Sequence, residues 1–251
     1  MIPKIIHYCW FGKNEKSGLI NECIESWKKY MPDYKIIEWN EDNFDVNICT
    51  YTKQAYDSQK WAFVSDYARL YALYNVGGIY FDTDVEVLKS LDPFLSQQAF
   101  TGYEVNDCPI TAVMGAEKEN HIIGELLKYY DDKCFFNKDG SYNIITNTVI
   151  ISDYFKAAGF KADGTKKSLQ GFVVYPQIYF CPNNISRIWK KNSPKSYTIH
   201  HFDSSWRSKE IETKTLFGRI KRYVIGWLRN NLGSKKYANL SGKIKRMFSK
   251  K

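Results

Sequence analysis

The stretch from Trp61 to Leu88, WAFVSDYARLYALYNVGGIYFDTDVEVL, changes its hydrophobic period partway along. Phe63, Val64, Tyr67, Leu70, Tyr71 and Tyr74 recur at helical spacing, and Asn75 with the pair Gly77–Gly78 ends that run. Ile79, Tyr80 and Phe81 then form an unbroken apolar triplet, the mark of a short buried strand, and VEVL alternates beyond it. Between the two strands stand Asp82 and Asp84. A helix that turns through glycines into a buried strand, with carboxylates at the strand's exit, is the basic unit of an α/β sheet. In such sheets ligands gather at the carboxyl ends of strands.

The same order extends to both sides. Ile5 to Phe11 reads as an opening buried strand carrying Trp10 at its end, followed by Gly12. Leu19, Ile20, Cys23, Ile24 and Trp27 follow at helical spacing behind Ser17, a suitable N-cap, and MPDY breaks that helix. YKIIEW is a second strand. Further on, AFTGYE, TAVMGA, GFVVYP and YTIHHF read as strands and Ile122 to Tyr130 as a helix, with the pattern less sharp from 97 to 181. The expected fold class is α/β, a central mixed and mainly parallel sheet flanked by helices. Its length of 251 residues fits one large domain plus an appendage.

Charge locates the appendage. Residues 207 to 251 hold fourteen Lys and Arg against Glu210 and Glu212, whereas residues 1 to 206 hold 22 basic and 25 acidic side chains. The net charge of +9 therefore belongs to the tail and concerns where the protein sits, not what its core does. Within that tail, TLFGRIKRYVIGWLRNN, residues 215 to 231, places Leu216, Ile220, Tyr223, Val224 and Trp227 on one face of a basic amphipathic helix. Such a helix lies in an anionic membrane interface, binds a partner, or packs on the core. The division expected is 1–214 as a catalytic domain and 215–251 as a basic helical extension. The six cysteines form no C-x-x-C pair and read as free thiols in a reducing compartment. The opening MIPKIIHYCWFG has too short an apolar run for a signal peptide, and no segment approaches about eighteen uncharged apolar residues. A cytoplasmic chain is expected. Aromatics make up 16% of the residues, and rings with an apolar face and a polar edge suit sugars and bases.

Taken alone, D-x-D is a weak signal, because 15 aspartates in this length produce roughly one such triplet by chance. Its setting strengthens it. Carboxylates at the end of a buried strand are costly unless a cation pairs with them, and hard oxygen ligands select Mg²⁺ or Mn²⁺. Upstream in SDYAR, Asp66 and Arg69 are three apart and share a helical face. By themselves they are an intrahelical ion pair worth a few tenths of a kcal/mol, while next to the D-x-D turn they can face the same cleft. Near the far end, HHFDSSW groups His200, His201, Asp203, Ser204, Ser205 and Trp206. Neighbouring histidines of a strand face opposite sides, so at most one readily joins a given metal.

Together IPKIIHYCWFG, SDYARLYALYNVGGIYFDTDVEVLKSLD and HHFDSSW resemble the landmarks of glycosyltransferase family 32, the bacterial capsule and lipo-oligosaccharide transferases related to the yeast initiating mannosyltransferase. More distantly they are similar to the catalytic domain of clostridial glucosylating toxins. The resemblance spans residues 2 to about 206 and is thin between 97 and 195. It implies a GT-A-like fold, a divalent Mn²⁺ or Mg²⁺, and retention of anomeric configuration. It also implies roles: Trp10 stacks on the nucleotide base, Asp66 and Arg69 grip the donor sugar, Tyr80 and Asp82 contact ribose or sugar, and Asp84 binds the metal. The toxin pattern carries a glutamate and a serine at the metal where this chain has His201 and Ser204, and Trp206 would close over the diphosphate. Asn147 and Thr148 are further candidates for donor contact.

The activity expected is transfer of a hexose or N-acetylhexosamine from a UDP-sugar to a glycan or lipid-linked oligosaccharide in bacterial surface-glycan synthesis, at the inner face of the cell membrane. No carboxylate nucleophile stands out in the sequence, so same-face attack by the acceptor hydroxyl is the expected route to retention. A sugar-nucleotide hydrolase or phosphotransferase on the same scaffold is the first alternative. A nucleic-acid-binding protein is the second; against it, the positive charge is confined to the tail and no nucleic-acid motif occurs.

Overall fold

The computed structural model describes residues 1–105, 108–182 and 193–203, all within one compact unit. The elements run β1 (Ile5–Cys9), α1 (Gly18–Tyr30), β2 (Lys35–Trp39), α2 (Thr50–Asp57), α3 (Trp61–Asn75), β3 (Gly78–Phe81), β4 (Val85–Val87), β5 (Ala99–Val105), β6 (Cys108–Ala116), α4 (His121–Lys128), α5 (Asn147–Ala157), β7 (Lys167–Leu169), β8 (Phe172–Tyr175) and β9 (Thr198–His200). Seven strands form one sheet in the order β2-β1-β3-β6-β5-β8-β7, and β4 pairs with β9 in a separate ribbon. β2, β1, β3, β5 and β8 run in one direction and β6 and β7 in the other, so the sheet is mixed and mainly parallel, as expected.

Strand alternation divides the core between the two faces of this sheet. Cys9, Tyr80, Tyr103, Met114 and Val174 point into a cluster shared with α2, α3, α4 and α5. Ile6, Tyr8, Ile79, Phe81, Phe100, Val113 and Val173 point the other way, onto α1 and the β4–β9 ribbon. The ribbon is tied to α1 by Trp27, which is fully buried and donates its indole N–H to Val85 O at 2.7 Å. Ser17 caps α1, its Oγ accepting from the Ile20 N–H at 3.4 Å.

Helix α3 is more deeply set than its apolar stripe suggests. Phe63, Val64, Ala68, Leu70, Ala72 and Leu73 are buried, and so are Asp66 and Arg69. A helix apolar on nearly all sides lies inside the molecule, and its two charged residues must then find partners there. Its exit through Gly77 and Gly78 explains the doubled glycine. Both hold positive φ, 73° and 124°. A Cβ on Gly78 would stand 2.6 Å from Ile5 O and 2.9 Å from the ring of His7, so the close approach of β3 to β1 requires hydrogen there. Buried His7 seals the same turn: its Nε2 bonds Gly77 O at 2.8 Å and its Nδ1 accepts the Trp39 indole N–H at 3.1 Å. Burial holds this imidazole neutral and brings its pKa down to about 4, against the opposing bond to Gly77.

Sequence periodicity does not reveal α2, α5 or β7. Residues 147–157 read NTVIISDYFKA, and their β-branched run disguises a helix. Among the described residues no helix is long and apolar enough to cross a membrane. Among the described residues, Cys9, Cys23, Cys49 and Cys134 form no disulfide.

Candidate active site

Asp82 and Asp84 leave the carboxyl end of β3, beside the end of β1 where Trp10 begins the next loop. Because Tyr80 faces α3, Asp82, two residues on, faces the same way and meets Arg69. One guanidinium nitrogen, Nη2, lies 3.1 Å from Asp66 Oδ1 and 3.2 Å from Asp82 Oδ1. The other donors are also used: Nη1 donates to Thr111 O at 3.0 Å and Nε to Ser65 O at 3.3 Å. The guanidinium lies over the Tyr80 ring, 4.7 Å from its centroid, and the Tyr80 hydroxyl donates to Asp82 Oδ1 at 3.0 Å. Arg69 is therefore both partners of the sequence reading at once, an intrahelical pair with Asp66 and a bridge to the D-x-D turn. It holds the two carboxylates of a buried triad, and all its nitrogens are engaged.

Asp66 is fixed from the other side by the start of α5. Its Oδ2 accepts the Asn147 N–H at 3.3 Å and its main-chain carbonyl accepts the Asn147 side-chain amide at 2.6 Å. Tyr130 in turn donates to Asn147 Oδ1 at 2.6 Å, and Thr148 reaches Thr111 at 3.4 Å. Burial raises the Asp66 pKa to about 6; Arg69 opposes this and the Asp82 charge adds to it. Asn147 and Thr148, named from sequence as donor contacts, thus lie against this triad.

The second carboxylate faces the ribbon. His200 Nε2 lies 3.3 Å from Asp84 Oδ1, and Asp84 Oδ2 accepts the Asp203 N–H at 2.7 Å. Asp82, Asp84 and His200 offer ligand atoms that all lie within 4.8 Å of one another. Burial works against the charged form of both partners, but their mutual hydrogen bond outweighs it: the Asp84 pKa is lowered and the His200 pKa raised, Asp82 and Glu104 also favouring the imidazolium.

His201, which the resemblance places at the metal, stands apart from this group of described residues. Its Nε2 lies 3.0 Å from Glu86 Oε2, and its main-chain N–H bonds Asp84 O at 3.0 Å. Successive residues of an extended segment face opposite sides, and the register that pairs Val85 with His200 turns the first imidazole, not the second, to Asp84. Ser204 and Trp206 lie outside the described residues.

Trp10 is half-buried at the sheet end. Its indole N–H donates to Asn14 O at 2.7 Å, and Lys16 lies over its ring at 5.5 Å from the centroid. Glu38 receives the same lysine at 2.9 Å as well as the Tyr8 hydroxyl. The loop is pinned by Glu41, which accepts the Gly12 N–H at 2.7 Å and the Tyr56 hydroxyl at 3.0 Å.

The donor set suits a hard divalent cation. Two carboxylates and an imidazole converge, and His200 Nδ1 is buried without a hydrogen-bond partner. Asp82 uses only Oδ1 to hold Arg69 and Tyr80, which leaves Oδ2 for a ligand.

Residues 18–101 match the model of a family described as a glycosyltransferase sugar-binding region containing a DXD motif. Inositol phosphoceramide mannosyltransferase 1 of Schizosaccharomyces pombe is 30% identical over 109 residues, 39% of this chain and 33% of that protein. Inositol phosphoceramide mannosyltransferase 3 of the same yeast is 35% identical over 106 residues, 39% of this chain and 29% of that protein. The chain thus spans about a third of the length of the curated relatives it matches. A solved structure described as PaToxG glycosyltransferase is 18% identical, with a TM-score of 0.47, over 62% of this chain and 69% of that one.

Proposed function

We propose that the chain is a metal-dependent, retaining glycosyltransferase that moves a hexose or N-acetylhexosamine from a UDP-sugar to a glycan or lipid-linked acceptor in bacterial surface-glycan synthesis. One observation carries the reading: both aspartates of the D-x-D turn converge with His200 at the carboxyl end of β3, inside the segment that matches the DXD family model. Asp84, His200 and the free oxygen of Asp82 would hold Mn²⁺ or Mg²⁺, which when bound supplies Lewis-acid stabilisation to a departing diphosphate.

The chain's own residues position the rest. Arg69 fixes Asp82 with one oxygen turned aside, so that the carboxylate meets its ligand in a set orientation. Asp66 and Asn147 close the site from the α5 side, where the donor sugar would lie. Trp10 offers a ring face to the nucleotide base at the neighbouring strand end. The acceptor hydroxyl would attack from the face that the leaving group departs, which retains the anomer. Residues 1–214 would form the catalytic domain, and the basic extension 215–251 would hold it at an anionic membrane on the cytoplasmic side.

A panel of UDP- and GDP-sugars, assayed for thermal shift with and without Mn²⁺ and then for product anomer by NMR, tests the proposal. Stabilisation by one sugar nucleotide only when Mn²⁺ is present, followed by transfer with retention, is expected. Metal-independent stabilisation or an inverted product would reject it. Cleavage of the donor that no acceptor accelerates would favour the hydrolase.

A further inference from the structure

A cavity of about 110 Å³ lies between α5, the loop that follows it and the strands β5, β6 and β8. Its walls are mainly apolar: Phe155 comes from α5, Phe160 and Ala162 from the loop, and Val174 from β8. The rings of Phe155 and Phe160 meet edge to face with centroids 5.1 Å apart, which fixes the loop on the helix. Lys156 contributes its stem to the lining, but its side chain is 70% exposed and its ammonium lies 4.0 Å from Asp153, so the charge stays in water.

Two hydroxyl-bearing residues line this space, and they differ in how their protons are used. Ser152 donates to Thr148 O at 2.6 Å. Tyr103 is fully buried, and its hydroxyl makes no hydrogen bond. The main chain of Asp163, next to Ala162, comes near that oxygen without bonding it. Burial raises the phenol to about 12, so at neutral pH it keeps its proton and remains a donor.

An unpaired buried hydroxyl costs stability that a phenylalanine in its place would avoid, so its presence calls for a partner. Water answers poorly. One molecule pairs with the hydroxyl, but a space of this size holds several, and each needs two to four polar partners that apolar walls do not supply. An apolar cavity of about 150 Å³ takes benzene, so a group of slightly smaller size fits here.

We propose that this cavity is a ligand site for a small apolar group that carries one oxygen, the oxygen accepting a hydrogen bond from Tyr103. The site is separate from the proposed transfer reaction, although it shares α5 with Asn147, which bonds Asp66.

The test uses the full chain and two probes of nearly equal size, 4-bromophenol and bromobenzene. Crystals soaked in 4-bromophenol should give an anomalous bromine peak between Tyr103 and Phe160. Calorimetric titration in solution should show saturable binding of 4-bromophenol, about fivefold or more tighter than that of bromobenzene. Tyr103→Phe keeps the ring and removes the hydroxyl. It should bring 4-bromophenol down to the affinity of bromobenzene, while the melting temperature holds or rises because an unpaired polar group is gone. Ala162→Leu, which fills the cavity from the loop, should abolish binding of both probes at a held melting temperature.

A bromine peak elsewhere, or equal affinity of the two probes for wild type, would overturn the proposal. A peak in crystals without saturable binding in solution would mean binding at crystal concentration only, and would overturn it as well. So would unchanged 4-bromophenol affinity in Tyr103→Phe, or a melting temperature lowered by that variant, since the hydroxyl would then already have its partner in the fold.

Discussion

His200 Nε2 lies 3.3 Å from Asp84 Oδ1, which ties the last described strand to the exit of β3. Its neighbour His201 is turned to Glu86 instead. The two imidazoles therefore make opposite predictions. His200→Ala should weaken Mn²⁺ binding by about tenfold or more, whereas His201→Ala should change it by less than about twofold. Calorimetric titration of each variant with Mn²⁺ in the presence of UDP decides between them, and the reverse ranking would restore the residue expected from sequence.

Arg69 bridges two carboxylates, and removing it would strand both. Arg69→Ala leaves Asp66 and Asp82 facing each other in a buried site without their cation, at a cost of about 3 to 5 kcal/mol. Urea unfolding would show the loss as a lower midpoint at unchanged slope. Arg69→Lys should recover only part of it, since an ammonium cannot keep the bonds to Thr111 O and Ser65 O while contacting both aspartates. Near wild-type stability for Arg69→Ala would refute the bridging role.

The glycine turn makes a steric prediction. Gly78→Ala sets a Cβ against Ile5 O and the His7 ring at a residue with φ of 124°, so both overlap and backbone strain oppose it. A destabilisation of about 3 kcal/mol or more is expected. Gly18→Ala, at the start of α1, provides the control: a Cβ there meets nothing within 4 Å, and its unfolding midpoint should hold or rise.

Acid should act through His7. Its pKa in the fold is brought down to about 4 by burial, against 6.5 when unfolded, so between those values the unfolded chain binds more protons. Stability attributable to His7 is thus complete above pH 6.5 and is lost as the pH falls toward 4, by about 3 kcal/mol in all. Asp66 acts in the opposite sense. Its pKa is raised to about 6 from 3.8, chiefly by burial, so the fold binds more protons in that window and gains stability as the pH falls through it. Because these contributions offset each other in a melting curve, NMR titration of the His7 imidazole is the cleaner measurement. A midpoint near 4 is expected, and one near 6.5 would contradict the account of the sealed turn.

What could be read from sequence follows from how local each signal is. Helix α3, the glycine exit and the D-x-D turn share one continuous segment, so a change of period and two glycines reveal them together. The choice between His200 and His201 is not local. Alternation shows that they diverge, but the register of β9 on β4 decides which one meets Asp84, and no residue type encodes that register. Asn147 was within reach as a polar residue heading an apolar run, yet TVII resembles a strand, and only packing against Asp66 makes it the start of a helix.

The most direct test is the position of the metal. Crystals grown with MnCl₂ and UDP should give one strong anomalous peak at the manganese edge, within coordinating distance of Asp84 and His200 and bordered by Asp82. A peak elsewhere in the chain, or an ion held without His200, would contradict the account.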